Sequence, residues 1–186
     1  MTVPARPLRR FGPGAVATPA NYVTLARLVF AVPTLVLIER TGASWLALTL
    51  WVVLCSTDGV DGWIARRDGT TRSGAFLDPL ADKLLVLGGF VALALRDDIT
   101  WIPVAIIAAR EIGISAYRSA AARRGASLPA LPLGKWKAVM QMIAVGGFIT
   151  PLTEHWTVAQ QVVLWTAVAI TVVSGLDIVR RGWRTS

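Results

Sequence analysis

Asp58, Asp61, Asp78 and Asp82 stand at helical spacing inside a stretch that is otherwise strongly apolar. The first pair is i, i+3 and the second i, i+4, so each pair shares one face of its helix. An ionised carboxylate in hydrocarbon costs roughly 2.5 to 3.5 kcal/mol on insertion scales. Four of them grouped together therefore call for a cation, a proton or water. If the segment between Arg66 and Gly74 turns an antiparallel hairpin, Asp58 and Asp82 each lie eight residues from it, about 12 Å of helix. Asp61 and Asp78 lie about 6 to 8 Å from it. The register sets Asp61 opposite Asp78 and Asp58 opposite Asp82, all converging slightly below one membrane surface. Four facing carboxylates repel unless positive charge enters, which favours one or two hard divalent cations. Oxygen-only ligation suits Mg2+ or Mn2+, and Ca2+ less often. Gly62 and Gly74 leave room for a bulky ligand, and Arg66, one turn beyond Asp61, is placed to reach phosphate. Metal, small residues and a cation together indicate a pyrophosphate. An ion or proton transporter using the carboxylates as its path is the alternative of another class.

These residues must be positioned by membrane helices. The chain has 186 residues, 54% of them hydrophobic, and a mean hydropathy of +0.58. Apolar runs at about 22–39, 43–66, 74–95, 99–120, 136–153 and 156–179 each approach the roughly 20 residues needed to cross a bilayer. The expected fold is all-α, a polytopic membrane protein with six transmembrane helices, and no separate soluble domain. Residues 1–20, rich in proline and carrying Arg6, Arg9 and Arg10, read as an N-terminal cytoplasmic or interfacial segment, and 21–186 as the helical domain.

The net charge of +8 does not indicate nucleic acid, because the basic residues fall in alternate connections. Arg9–Arg10, Arg66–Arg67, Arg123–Arg124, Lys135 with Lys137, and Arg180–Arg181 share one side, against Arg40 and Arg96 on the other. By the positive-inside rule both termini and the aspartate hairpin face the cytoplasm, placing the protein multi-pass in the cell membrane. Cys55 is the one cysteine, so no intrachain disulfide forms, and it reads as a small apolar side chain. Trp51, Trp101, Trp136 and Trp156 lie near the ends of runs and read as interfacial anchors. Pro79, between Asp78 and Asp82, is a possible point of helix distortion.

The run Asp58-x-x-Asp61-Gly62-x-x-Ala65-Arg66, followed by Gly74-x-x-x-Asp78-x-x-x-Asp82, resembles the signature of the CDP-alcohol phosphotransferases, membrane enzymes of phospholipid synthesis. Asn21-x-x-Thr24-x-x-Arg27 is similar to the family's first helix, and the spacing keeps the three polar groups along nearly one face. The resemblance implies a six-helix fold, commonly a homodimer, with a polar cavity open to the cytoplasm and lipid tails left in the bilayer. It implies that Asp58, Asp61 and Asp78 bind the metals, with Asp82 beside them as general base. Gly62, Ala65, Arg66 and Gly74 would border the CDP moiety of CDP-diacylglycerol.

The stretch from Arg110-Glu111 through Ser115 and Arg118 to Gly134-Lys135-Trp136-Lys137 resembles the branch whose acceptor is glycerol 3-phosphate. Ala138 stands where that branch usually has threonine. Arg110, Arg118, Lys135 and Lys137 are then candidates for the acceptor phosphate, Arg110 having a structural pair with Glu111 or Asp177 as its other reading. Lys83, beside Asp82, reads as a local counter-charge. Other acceptors of the same family, as in a cardiolipin synthase or a phosphatidylinositol phosphate synthase, remain open at this point.

Overall fold

The computed structural model describes residues 18–68, 72–124, 132–152 and 156–184, with the side chains at 20, 58–68, 72–78, 132–133, 135 and 183–184 outside that description. Six helices follow in order: α1 (Pro19–Thr41), α2 (Trp45–Asp68), α3 (Arg72–Leu95), α4 (Trp101–Arg123), α5 (Pro132–Ile149) and α6 (Thr157–Arg184). No strand occurs among the described residues. The expected interfacial segment 1–20 lies almost wholly outside them.

Local chemistry sets the helix ends. Thr18 caps α1, its hydroxyl accepting from the Asn21 amide at 3.2 Å, with Pro19 in the first turn where a missing N–H costs nothing. At the other end Gly42 adopts φ +69° and donates its N–H to the Ile38 carbonyl at 3.0 Å. Arg96, in the turn after α3, donates to the same carbonyl at 3.0 Å. Its guanidinium lies so close to Gly42 that a Cβ there would fall 1.9 Å from Nη1, so the position needs glycine on two counts.

The helix bounds differ from the apolar runs chiefly around α5. Pro132 and Gly134 read as loop punctuation, yet the helix starts at Pro132, a residue preset for the first turn. It stops at Ile149 because Pro151 disfavours helical backbone before it. α3 runs through Pro79 as one helix.

α1 packs on both α2 and α3, α4 on α3 and α6, α5 on α6, and α2 and α3 each reach α5. Trp51 anchors the centre, and here the expectation of an interfacial tryptophan is corrected. Only 2% of Trp51 is exposed, and its indole N–H donates to the Met142 carbonyl at 3.1 Å. Gly89 and Gly146 open the notch: a Cβ at Gly89 would come within 2.8 Å of the indole. Trp101, Trp136 and Trp156 are exposed, as expected of anchors.

Much of the outer surface is apolar. Phe30, Val52, Ile102, Ile143, Val158 and Leu176 are each more than half exposed. A water-facing monomer rarely exposes so many large apolar side chains, and this is the surface of a membrane-associated protein. Among the described residues, Asn21–Thr41 and Thr157–Gly182 are long and apolar enough to cross a bilayer, while Trp45–Thr57 and Trp136–Ile149 are shorter apolar stretches.

Candidate active site

α1 brings a polar face inward. Asn21, Thr24 and Arg27 are 6%, 1% and 2% exposed, so the i, i+3, i+6 spacing does place them on one buried face. Arg27 does not snorkel to the surface. Its Nη1 donates to Asp82 Oδ1 on α3 at 2.8 Å, and its Nε donates to Thr57 Oγ1 on α2 at 3.1 Å. The Thr57 hydroxyl gives its own proton to the Leu54 carbonyl, which turns its lone pairs toward Arg27. One planar guanidinium therefore ties Asp82 to the residue preceding Asp58.

The sequence-derived ligands Asp58, Asp61 and Asp78, the CDP-bordering Gly62, Ala65, Arg66 and Gly74, and Lys135 have side chains outside the described residues. Among the described residues no group of three potential ligands gathers, since Asp82 alone of the four aspartates belongs to that set. The fit to a divalent ion rests on two observations. The donor set is all carboxylate, suited to a hard cation, and Arg27 of α1 bonds both Asp82 and Thr57, the residue next in sequence to Asp58. The Asp82 side chain keeps 40% exposure, consistent with a group that must be reached.

Beside Asp82 opens a cavity of about 190 Å³ between α3, α4 and α5. Pro79, Asp82, Lys83, Glu111, Lys137 and Gln141 supply its polar rim and much of its wall. Lys83 donates to Ser115 Oγ at 2.5 Å, and Ser115 in turn donates to the Glu111 carbonyl at 2.6 Å. Glu111, 8% exposed, accepts at Oε1 from Arg110 Nη1 at 3.0 Å and from Lys137. Arg110 also donates to Ser174 Oγ on α6 at 2.9 Å, its stem passing over Gly175 where a Cβ would stand 3.1 Å away. Asp177 pairs with Arg181 instead, at 3.0 Å. The Nε atoms of Arg110 and Arg118 are buried and have no hydrogen-bond partner among the described residues.

Arg110 and Lys137 thus share one carboxylate, Glu111, Lys83 bonds to the neutral Ser115 hydroxyl, and Asp82 is matched by Arg27. Among the described residues the cluster carries two uncompensated positive charges. Such an excess, away from bulk water, is suited to a dianion.

The sequence makes Lys137 a candidate for the acceptor phosphate, and the structure sets it in the same cavity as Asp82; Arg110, read as a phosphate ligand or as the partner of Glu111 or Asp177, is paired with Glu111 and Ser174. Sequence reasoning missed Glu111, Lys83 and Gln141 as walls of the cavity. Gln141 follows Lys137 by four residues in an apolar helix and could have been read as sharing its face. Glu111 and Ser115 repeat that spacing on α4.

Residues 17–173 match the CDP-alcohol phosphatidyltransferase family. The chain belongs to that family. It is accordingly an enzyme, a transferase of phospholipid biosynthesis, and the family generally depends on a divalent metal. Its curated relatives include a protein of Mycobacterium tuberculosis (strain H37Rv) named "Probable phosphatidylglycerophosphate synthase", 37% identical over 180 residues, covering 93% of this chain and 85% of the relative. Two more are named CDP-diacylglycerol–glycerol-3-phosphate 3-phosphatidyltransferase. That of Rickettsia bellii is 34% identical, covering 83% of this chain and 90% of its own. That of Bacillus subtilis is 32% identical, covering 88% and 94%.

Proposed function

We propose that the protein transfers a phosphatidyl group from CDP-diacylglycerol to glycerol 3-phosphate, forming phosphatidylglycerophosphate and releasing CMP. The observation that carries this reading is the cavity beside Asp82, lined by Lys83 and Lys137, with Arg110 behind Glu111 and Arg27 behind Asp82, so that among the described residues the four cations of the cluster outnumber its two carboxylates by two. A phosphomonoester dianion meets that excess, whereas phosphatidylglycerol, the acceptor of a cardiolipin synthase, carries no phosphomonoester. Inositol phosphate would meet it equally, and the names of the relatives favour glycerol 3-phosphate over it. Family membership sets aside an ion or proton transporter.

In this reading Asp82, oriented by Arg27, takes the proton of the acceptor hydroxyl, and that oxygen attacks the lipid-side phosphorus as the bond to CMP breaks. Lys137 and Arg110, with Arg118 and Lys135 on the same two helices, hold the acceptor phosphate. Gly62, Ala65, Arg66 and Gly74 border the CDP group. Asp58, Asp61 and Asp78, with Asp82 beside them, would hold Mg2+ or Mn2+, which when bound offsets the pyrophosphate charge. All six helices of the domain 21–186 would cross the membrane, residues 1–20 would rest on its cytoplasmic face, and the site would open to the cytoplasm of a homodimer.

The test is CMP release from labelled CDP-diacylglycerol by purified protein with Mg2+ or Mn2+, offered glycerol 3-phosphate, inositol phosphate or phosphatidylglycerol. Release that depends on glycerol 3-phosphate is expected. Release with either other acceptor and none with glycerol 3-phosphate would overturn the assignment.

A further inference from the structure

We infer that Glu111 is a positioning residue of the acceptor-phosphate subsite, its carboxylate aiming the Lys137 ammonium at the cavity beside Asp82. The inference rests on the function proposed above and assigns a role within that site. Lys137 lies in the second turn of α5, where a lysine in an apolar helix ordinarily stretches its stem to the interface. Instead it is 9% exposed and reaches across 26 residues of sequence to Glu111 on α4. Glu111 is braced from behind. Arg110 holds the same Oε1 at 3.0 Å and is itself held by Ser174 of α6 at 2.9 Å, so a chain of bonds runs from α6 to the cavity wall.

Arg110 alone would satisfy Glu111 as a counter-ion. Bringing Lys137 in as well sets it beside Arg110 and across the cavity from Lys83, a gathering of like charge that costs stability unless an anion enters. An ammonium has three donors, and the bond to Glu111 uses one, leaving the geometry for a phosphate oxygen to share the same nitrogen. Glu111 also sets the charge surplus at two.

The experiment is steady-state kinetics of the full-length protein in detergent with CDP-diacylglycerol, Mg2+ or Mn2+, and varied glycerol 3-phosphate. Glu111→Gln keeps the shape and an acceptor oxygen but removes the charge that directs Lys137. It is expected to raise KM for glycerol 3-phosphate about tenfold or more, with KM for CDP-diacylglycerol held within about twofold. Lys137→Met should do the same, and the double variant should be no worse than Lys137→Met alone, because one residue acts through the other. Glu111→Asp, which keeps the charge one methylene back, should give a smaller rise and serves if the glutamine variant does not fold. An unmoved KM for glycerol 3-phosphate in a folded Glu111 variant overturns the inference, as do additive effects in the double variant. So does an equal rise of both KM values. Wild-type protein that turns over no glycerol 3-phosphate refutes the proposed function itself, whereas an active wild type with an indifferent Glu111 refutes this inference alone.

Discussion

Replacing Arg27 by methionine keeps most of the length of a fully buried side chain and removes the guanidinium that joins Thr57 to Asp82. Breaking a buried ion pair by deleting one partner costs about 3 to 5 kcal/mol when both charges are sequestered. The Asp82 side chain retains 40% exposure, so water recovers part of that, and a loss of about 1 to 3 kcal/mol in stability is expected. The catalytic cost is separate. A carboxylate deprived of the group that orients it loses activity by about 10- to 100-fold, comparable to removal of an orienting partner behind a metal ligand. Arg27→Lys retains the charge but not the fork that bonds two helices at once, so it should fall between wild type and Arg27→Met. The measurements are kcat at saturating CDP-diacylglycerol and glycerol 3-phosphate, and the thermal midpoint in the same detergent. An Arg27→Met protein that folds and turns over at the wild-type rate would refute the positioning of Asp82 by α1.

Asp82→Asn should lower kcat by about a hundredfold or more and also lower the thermal midpoint, since the buried Arg27 charge loses its carboxylate, and near-normal turnover would remove Asp82 as the base. Trp51→Ala should destabilise by about 3 kcal/mol through the cavity left among α2, α3 and α5, read as a lower midpoint with KM values unchanged. Gly89→Ala should cost about 1 to 3 kcal/mol by crowding the same indole, and a neutral result would show that the notch has slack. Arg96→Ala should lower the midpoint by about 1 kcal/mol and leave kcat alone, since it frees the Ile38 carbonyl at the end of the bundle remote from Asp82.

Much of this fold was legible because an apolar helix is a local object. Each apolar run, bounded by residues such as Gly42, Thr100 or Pro151, corresponds to one of the six helices. The buried face of Asn21, Thr24 and Arg27 was equally legible, since three-residue spacing fixes a face without knowledge of the partner. What a local reading could not supply were the matches across the chain. Trp51 looks interfacial from its position in the run, and it is buried because Gly89 and Gly146 leave it space. Glu111 looks like the companion of Arg110 until Lys137 is brought to it from α5. The start of α5 was misplaced for a simpler reason: proline marks both loops and first turns, and only the neighbouring backbone distinguishes them.

The buried arginine of α1 also bears on how the chain is built. Its partners Thr57 and Asp82 lie 30 and 55 residues downstream, so both are synthesised after the helix that needs them. If α1 crosses the bilayer as proposed, it enters carrying a charge whose described partners have not yet been made. The bond to Asp82 can close only once α3 has been made, so the final seating of α1 waits on two later helices.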